Sequence, residues 1–306
     1  MVQTAFSGSK RNGTLDLLRF LAVLFIFFGH YTDTFNYIYQ IVPSNLHWNV
    51  FSRYASLALL IFFMVSGYVV TMTSVNRNLK DFIISRTSRI YPLFWISCIV
   101  AFFLPKMVNH SFLAVSSFKT FLVNLTMVPT VFREPLINQV FHTLITEIAF
   151  YIFIGVIIFF KLWRNILLIT AILLGYSFAF SFGVTMPAHT NLVPLLAGML
   201  FYFISINYSE RWKLYTLLCI NFCCALLLAR PLSIKLNQLY LEPGMVNAWI
   251  LRLGITFIYF IFLMIALKKL HIKSRPLLII LGEIAYAFYL FHLYFLVLYY
   301  HFRNSI

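Results

Sequence analysis

The stretch LDLLRFLAVLFIFFGHY, residues 15–31, decides the fold, because it is apolar enough to enter a lipid bilayer as a helix. A transmembrane helix needs about 20 mostly apolar residues, and this run supplies most of them. The run also contains Arg19 and His30, two side chains that cost free energy at bilayer depth. Polar groups in such a position indicate a membrane protein with a functional site among its helices.

The composition of the whole chain agrees with this interpretation. Of its 306 residues, 62% are hydrophobic and 10% are charged, whereas soluble domains are nearer one quarter charged. Lys and Arg number 23 against 8 Asp and Glu, but they lie in short loops between apolar runs and therefore indicate topology. We predict one membrane-embedded domain over residues 1–306, in contact with the lipid bilayer, with no soluble domain and no nucleic-acid partner.

Nine apolar runs are long enough to be transmembrane helices, which predicts an all-α polytopic membrane protein. The runs cover residues 15–35, 54–74, 90–108, 142–160, 164–182, 188–206, 213–229, 246–268 and 277–301. A weaker stretch at 111–127 has helical spacing and predicts either an interfacial amphipathic helix or a tenth span. The number of spans decides the side of the C-terminus, which is outside with nine spans and inside with ten.

Two further features concern topology and metals. Lys and Arg are about twice as frequent on the N-terminal side of the predicted spans, so the positive-inside rule places the N-terminus in the cytoplasm. The four cysteines lie in apolar runs without metal-ligand spacing, and we predict no metal site.

Arg19 and His30 lie on one face of the first predicted helix. Eleven residues separate them, which is three turns plus about 20°, and roughly 16.5 Å along the helix axis. With a cytoplasmic N-terminus, Arg19 lies near the cytoplasmic boundary and His30 lies beyond the middle of the membrane. The structural alternatives are a snorkelling anchor for Arg19 and a buried hydrogen-bonding histidine for His30.

Two more arginines occur in SRTSRIYPLFW, residues 85–95, just before the third span. Arg86 and Arg89 are three residues apart and share a helix face on the cytoplasmic side. They can be ordinary topology signals. Because Arg19 lies at the same depth, however, the three guanidinium groups can converge, and their planar forks suit phosphate oxygens. We predict a phosphate-binding site at this boundary.

The remaining ionisable residues lie in the fourth and last spans. Glu147 is several residues into its span, with Tyr151 one turn further on the same face, and it makes either a structural hydrogen bond or a pair with an Arg or His. Glu283 and His292 are nine residues apart and face opposite ways, so they cannot share a site on their helix. We interpret His292 as structural.

Taken in order, these elements resemble the membrane-bound acyltransferase-3 family, which O-acylates carbohydrates at bacterial surfaces. The stretches that carry the resemblance are the first helix with its Arg and His, FFMVSGYVVT (62–71), RTSRIYP (86–92), TLITEIAFY (143–151), AYAFYLFH (285–292) and, more weakly, LLAGMLFYF (195–203). The chain departs from the family pattern at His142, in place of a Trp, and at Ala285, in place of a Ser. Residues 58–60, Ala-Leu-Leu, replace a frequent Gly-Val-Asp.

The resemblance implies a reaction and its substrates. The donor would be cytoplasmic acyl-CoA, usually acetyl-CoA, used as a co-substrate with no permanently bound cofactor. The acceptor would be a hydroxyl of a cell-surface or lipid-linked carbohydrate, such as lipopolysaccharide O-antigen, capsule or exopolysaccharide. The expected location is the bacterial inner membrane. The acceptor sugar, the acyl chain and the oligomeric state leave no signal in the sequence.

The same resemblance assigns roles to the candidate residues. Arg19, Arg86 and Arg89 would bind the nucleotide and pyrophosphate of the donor, and the pantetheine arm would extend towards His30. His30 would act as general base or accept the acyl group itself, and both alternatives stay open. Glu147 would orient the imidazole, as the carboxylate does in a catalytic triad. The supporting residues are Tyr151, His142, Ser66 and Tyr286.

Two other function classes fit part of the pattern. Intramembrane Glu and His residues also occur in proton-coupled transporters, and a glycan exporter is a related alternative. Such folds show internal repeats with helices broken at matching positions, and the sequence has no such repeat. A non-catalytic scaffold would tolerate substitution of His30 and Glu147.

Overall fold

The computed structural model describes residues 12–31, 53–108, 116–181, 188–208, 210–239 and 246–304, which form helices and no strand. The helices are α1 (Gly13–Gly29), α2 (Ser56–Ser74), α3 (Leu79–Val108), α4 (Phe118–Asn124), α5 (Phe141–Phe159), α6 (Ile166–Ser181), α7 (Ala188–Ser205), α8 (Arg211–Leu239), α9 (Ala248–Ala266) and α10 (Pro276–Asn304). Short 3₁₀-helices at Pro129–Phe132 and Leu162–Asn165 precede α5 and α6. The predicted all-α class is confirmed.

Each predicted apolar run contains one long helix. Not all of these helices meet the length and hydropathy that a membrane span needs. Within the described residues, six helices are long and apolar enough to cross a membrane, namely α2, α3, α5, α8, α9 and α10. Two shorter apolar helices lie in α6 and α7. The multi-pass character is therefore supported, and the count of nine to ten spans stays a prediction. Residues 32–35 of the first predicted span lie outside the described residues.

The weak stretch at 111–127 contains only a short helix in its described part. α4 has seven residues, so it is roughly 10 Å long and cannot cross a bilayer. Ser117 caps its N-terminus, with the side-chain oxygen accepting a hydrogen bond from the Thr120 amide at 3.0 Å. Of the two alternatives, this length fits the interfacial helix. Residues 111–115 lie outside the described residues.

α2 and α7 cross with their backbones in contact, at one glycine on each helix. A Cβ atom added to Gly67 would overlap the carbonyl oxygen of Leu195, and one added to Gly198 would overlap the carbonyl oxygen of Met64. Small residues allow such close approach between membrane helices, where dispersion rather than the hydrophobic effect holds the pair together. The crossing fixes the position of α2, which contributes Ser66 to the site described below.

α1 and α10 pack side by side and run in the same direction. Where α1 begins, the Thr14 hydroxyl accepts a hydrogen bond at 2.8 Å from the amide of Ile272, which lies four residues before α10. In the first turn of α1, Asp16 occupies space that Gly282 on α10 leaves open. Near the other end the rings of Phe27 and Phe288 are 5.3 Å apart. This parallel register holds each residue of α1 at the level of a defined residue of α10.

Candidate active site

The three predicted donor-binding arginines meet at one small polar cavity between α1, α2, α3, α5 and α10. The cavity measures about 30 Å³, which is room for one or two water molecules. Seven of the nine predicted site residues line it: Arg19, Arg86, Arg89, Ser66, Glu147, Tyr151 and Tyr286. The structure therefore brings the three arginines together, as the sequence predicted.

Glu147 is the acidic residue among these lining groups. Its Oε1 accepts a hydrogen bond from the Ser66 hydroxyl at 2.6 Å, and both side chains are buried. Its charge interacts with those of Arg19, Arg89 and Arg86. In the structure the carboxylate thus lines the cavity with the arginines, one helical turn along α5 from Thr143, whose hydroxyl contacts Tyr289 in the histidine region. The predicted role of orienting His30 stays a prediction.

Arg86 is held from several sides. Its Nη2 donates a hydrogen bond to the Thr73 hydroxyl on α2, and its guanidinium carbon lies 5.7 Å from the ring centre of Phe82 and 5.8 Å from that of Tyr151. The Nε atom is buried and has no hydrogen-bond partner among the described residues. Stacking and one hydrogen bond therefore fix the plane of the fork, while a buried donor remains for a ligand.

Sequence reasoning did not identify Thr73. Its hydroxyl donates to the carbonyl of Val69 at 2.8 Å, which is the usual back-bond of a helical threonine, and accepts from Arg86. Nothing in the local sequence distinguishes this threonine from others on α2. Its importance follows only from the packing of α2 against α3.

A larger apolar groove adjoins the arginine cavity between α3 and α5. It measures about 380 Å³, within the range of ligand sites, and Arg86, Tyr151 and Ile90 line both spaces. Most of its other lining residues are apolar, including Phe82, Ile83, Ile148 and Ile152. The arginine cavity alone is too small for a nucleotide, whereas the two spaces together offer a polar end and an apolar channel.

His30 lies directly after the last residue of α1 and is partly exposed. Its ring centre is 5.2 Å from that of His292, with the ring planes 32° apart. His292 is completely buried, and its Nδ1 is 2.6 Å from the carbonyl oxygen of Tyr289. Analysis of α10 as an isolated helix missed this pair, because the partner comes from the other end of the chain.

Aromatic and hydroxyl groups surround the histidine pair. The hydroxyls of Tyr289 and Thr143 are hydrogen bonded at 2.6 Å, and the Tyr289 ring stacks on Phe62 at 5.4 Å. His142 is exposed, with Nδ1 2.6 Å from the carbonyl oxygen of Gln139, and it lies close enough to His30 for their charges to interact. His142 therefore belongs to the histidine region and not to the arginine cavity.

The arginine cavity can hold a charged ligand, and the His30–His292 pair can place a base at the other end of the site. Within the part of the chain that the structure describes, no group of three or more His, Cys, Asp or Glu residues could hold a metal ion.

Comparison with known proteins extends the resemblance over residues 12–306. A family profile described as an acyltransferase domain, that of the acyltransferase-3 family, matches residues 12–306. No curated protein and no solved structure gives a match. The matched range includes every residue that the structure describes, and so it includes both the arginine cavity and the histidine pair.

Proposed function

Because the chain belongs to the acyltransferase-3 family, we propose that this membrane acyltransferase transfers an acetyl group from cytoplasmic acetyl-CoA to a carbohydrate hydroxyl. The acceptor would be a cell-surface or lipid-linked glycan of a bacterium, and the enzyme would lie in the inner membrane with a cytoplasmic N-terminus. One observation carries the proposal: three arginines meet in a cavity beside the helix that ends at His30.

The charges in the cavity favour an anionic ligand. Arg19, Arg86 and Arg89 line it together with a single carboxylate, that of Glu147, so positive charge is in excess. Unpaired charges at this depth are costly, and a ligand with phosphate groups would compensate them. Arginine forks pair with phosphate oxygens through two parallel hydrogen bonds. The nucleotide and pyrophosphate of CoA supply such groups.

The shape of the site suits the rest of the donor. The apolar groove between α3 and α5 shares Arg86 and Tyr151 with the cavity, so it could take the less polar parts of the molecule. The extended pantetheine arm can span the roughly three helical turns that separate the level of Arg19 from His30. A thioester at its end would reach the imidazole.

At that position His30 supplies acid–base chemistry. As general base it would take the proton of the acceptor hydroxyl while the hydroxyl oxygen attacks the thioester carbonyl. The carbon–sulfur bond then breaks, and the same proton passes to the CoA sulfur. In the alternative, His30 first accepts the acyl group itself. Glu147 would act chiefly as counter-ion of the arginines, because its contacts lie there.

The family match favours an acyltransferase over a proton-coupled transporter or a glycan exporter. The proposal is tested on surface glycan from bacterial cells that express the wild type, His30→Ala or His271→Ala. His271 is an exposed histidine between α9 and α10 and serves as the matched control.

Base-labile acetyl groups on the purified glycan are measured by mass spectrometry, with protein levels matched by immunoblot. We expect acetylation with the wild type and His271→Ala and none above background with His30→Ala. Acetylation that survives His30→Ala would exclude the proposed role of His30. Wild-type cells without O-acetyl groups on any surface glycan would contradict the proposed reaction.

A further inference from the structure

His292 is a buried histidine with one nitrogen engaged and the other without a partner. Its side chain has no exposed surface, and Nδ1 is 2.6 Å from the Tyr289 carbonyl oxygen. A carbonyl oxygen only accepts hydrogen bonds, so Nδ1 must carry the proton. In the neutral ring Nε2 is then an acceptor, and it has no hydrogen-bond partner among the described residues. An unsatisfied acceptor in the protein interior is uncommon.

The donors near Nε2 narrow the choice of partner. Among the described residues, two rings lie close to that of His292, those of His30 at 5.2 Å and Tyr289 at 5.7 Å between centres. The Tyr289 hydroxyl is engaged with Thr143 and with the carbonyl of Val140. His30 is an imidazole and can donate through one of its nitrogens. The centres of the His30 and His292 rings are 5.2 Å apart. At this spacing a modest rotation of one ring places a nitrogen of each about 3 Å apart, which is a hydrogen-bond distance.

We propose that His292 is a positioning residue for His30, whose ring N–H donates a hydrogen bond to His292 Nε2 in the reacting complex. This inference rests on the proposed acyl transfer at His30. The hydrogen bond holds the proton on one nitrogen of His30, and so the other nitrogen is the base that faces the acceptor hydroxyl. A neutral imidazole thereby performs the orienting role that a carboxylate performs in a triad.

The proton balance of the step is simple. The unprotonated nitrogen of His30 takes the proton of the acceptor hydroxyl as the hydroxyl oxygen bonds to the acyl carbon. The ring becomes a cation that still donates to His292. When the carbon–sulfur bond breaks, His30 returns this proton to the CoA sulfur. His292 neither gains nor loses a proton, because its Nδ1–H stays on the Tyr289 carbonyl.

The surroundings of His292 keep its ring in place for this role. Tyr289, one turn earlier on α10, is fixed by its hydroxyl contact with Thr143 and by stacking on Phe62. The parallel packing of α1 on α10 holds the level of His30.

Two substitutions at His292 separate positioning from structure. His292→Asn places an amide N–H where Nδ1 lies and keeps the bond to the Tyr289 carbonyl, but it removes the acceptor at Nε2. His292→Gln places its amide near the position of Nε2 and can accept from His30. The kcat of acetyl transfer and the KM for acetyl-CoA are measured in membranes with matched amounts of folded protein.

We expect kcat to fall about tenfold or more in His292→Asn, the effect of losing one hydrogen bond, and to fall less in His292→Gln. The KM for acetyl-CoA should stay unchanged in both, because the arginine cavity is not altered. The proposal would be overturned if kcat fell more in His292→Gln than in His292→Asn, if kcat fell equally in both, or if KM rose at constant kcat. A structural histidine predicts the opposite order, since only Asn preserves the bond to Tyr289.

A measurement on the unaltered protein decides the matter if the variants do not fold. In ¹⁵N-histidine NMR of the wild type in lipid, an N–H of His30 should show coupling to Nε2 of His292 across the proposed hydrogen bond, with the proton of His292 on Nδ1. A proton on Nε2 of His292 would overturn the inference. The NMR result does not depend on the acceptor, so loss of the proposed carbohydrate acetylation and loss of the His30–His292 bond are distinguishable.

Discussion

Among single residues, Arg86 shows how the site depends on geometry as well as on charge. Lysine would keep the positive charge but lose the planar fork that lies between Phe82 and Tyr151. We expect Arg86→Lys to raise the KM for acetyl-CoA about tenfold, the effect of one charge-assisted hydrogen bond. Arg164→Lys, at an exposed arginine outside the cavity, is the control and should leave the KM unchanged.

The same reasoning extends to the partner of Arg86. Thr73→Val keeps the shape of the side chain and removes the hydroxyl that accepts from Nη2. The KM for acetyl-CoA should rise by a smaller factor, roughly fivefold. An unchanged KM in both Arg86→Lys and Thr73→Val would show that Arg86 does not bind the donor.

Glu147 offers a test of the charge balance in the arginine cavity. Glu147→Gln removes the carboxylate that lines the cavity with Arg19, Arg86 and Arg89, so the free protein should unfold at a lower temperature. A bound phosphate ligand should restore more stability in the variant than in the wild type. Melting of the detergent-solubilised protein with and without CoA measures both effects.

Glu283→Gln, at an exposed glutamate on α10, is the control for this measurement. The counter-ion role predicts a larger CoA-dependent increase in melting temperature for Glu147→Gln alone. Normal melting of Glu147→Gln together with a low kcat would instead favour the role of orienting His30.

These residues also show what sequence can and cannot predict about a site. Arg19, Arg86 and Arg89 were predicted to meet because their positions relative to the apolar runs place them at one depth, and depth restricts which side chains can pair. Glu147 was predicted to orient His30, and its place in the same cavity was not predicted. The pairing of His292 with His30 was not predicted, because helical periodicity compares residues on one helix only. Its neighbour His30 is far away in the chain, and no periodic signal records which distant helices pack together.

Among the helices, the α2–α7 crossing is the most demanding contact. Gly67→Ala would place a methyl group on the backbone of Leu195, so the helices would have to separate. We expect a loss of about 3 kcal/mol or more in the free energy of unfolding, at the upper end of overpacking effects. The folded yield and the melting temperature in detergent should both fall.

Gly175→Ala on α6 is the matched control for Gly67→Ala. A Cβ atom at Gly175 meets nothing within 4 Å, and alanine is the better helix former. The control should therefore be neutral or stabilising. Similar melting temperatures for the two variants would contradict the close contact between α2 and α7.

The helices themselves were largely predictable, whereas some of their limits were not. Hydropathy located every long helix, because a bilayer requires long apolar runs. α3, however, begins at Leu79, well before the predicted start at 90, and α8 continues through Pro231 to Leu239. Polar helical turns beyond the apolar core have no hydropathy signal. Arg86 and Arg89 therefore lie within α3 and not before it.

For the molecule as a whole, the parallel direction of α1 and α10 bears on topology. If successive long helices alternate in direction, a first and last helix that run parallel require an odd number of them. This favours nine spans over ten, with the C-terminus outside, although the number itself stays a prediction. With the predicted cytoplasmic N-terminus, the arginines would lie at the cytoplasmic level and the histidines beyond the middle of the membrane.

The measurement that bears on the whole account is acetyl transfer across sealed membrane vesicles. Inside-out vesicles expose the cytoplasmic face, and acetyl-CoA labelled in its acetyl group is added outside them. We expect label on the lipid-linked or surface glycan with the wild type and with His271→Ala, and none above background with His30→Ala. Right-side-out vesicles given the same donor should remain unlabelled. Label that persists in His30→Ala, or that appears only when the donor meets the opposite face, would contradict the account.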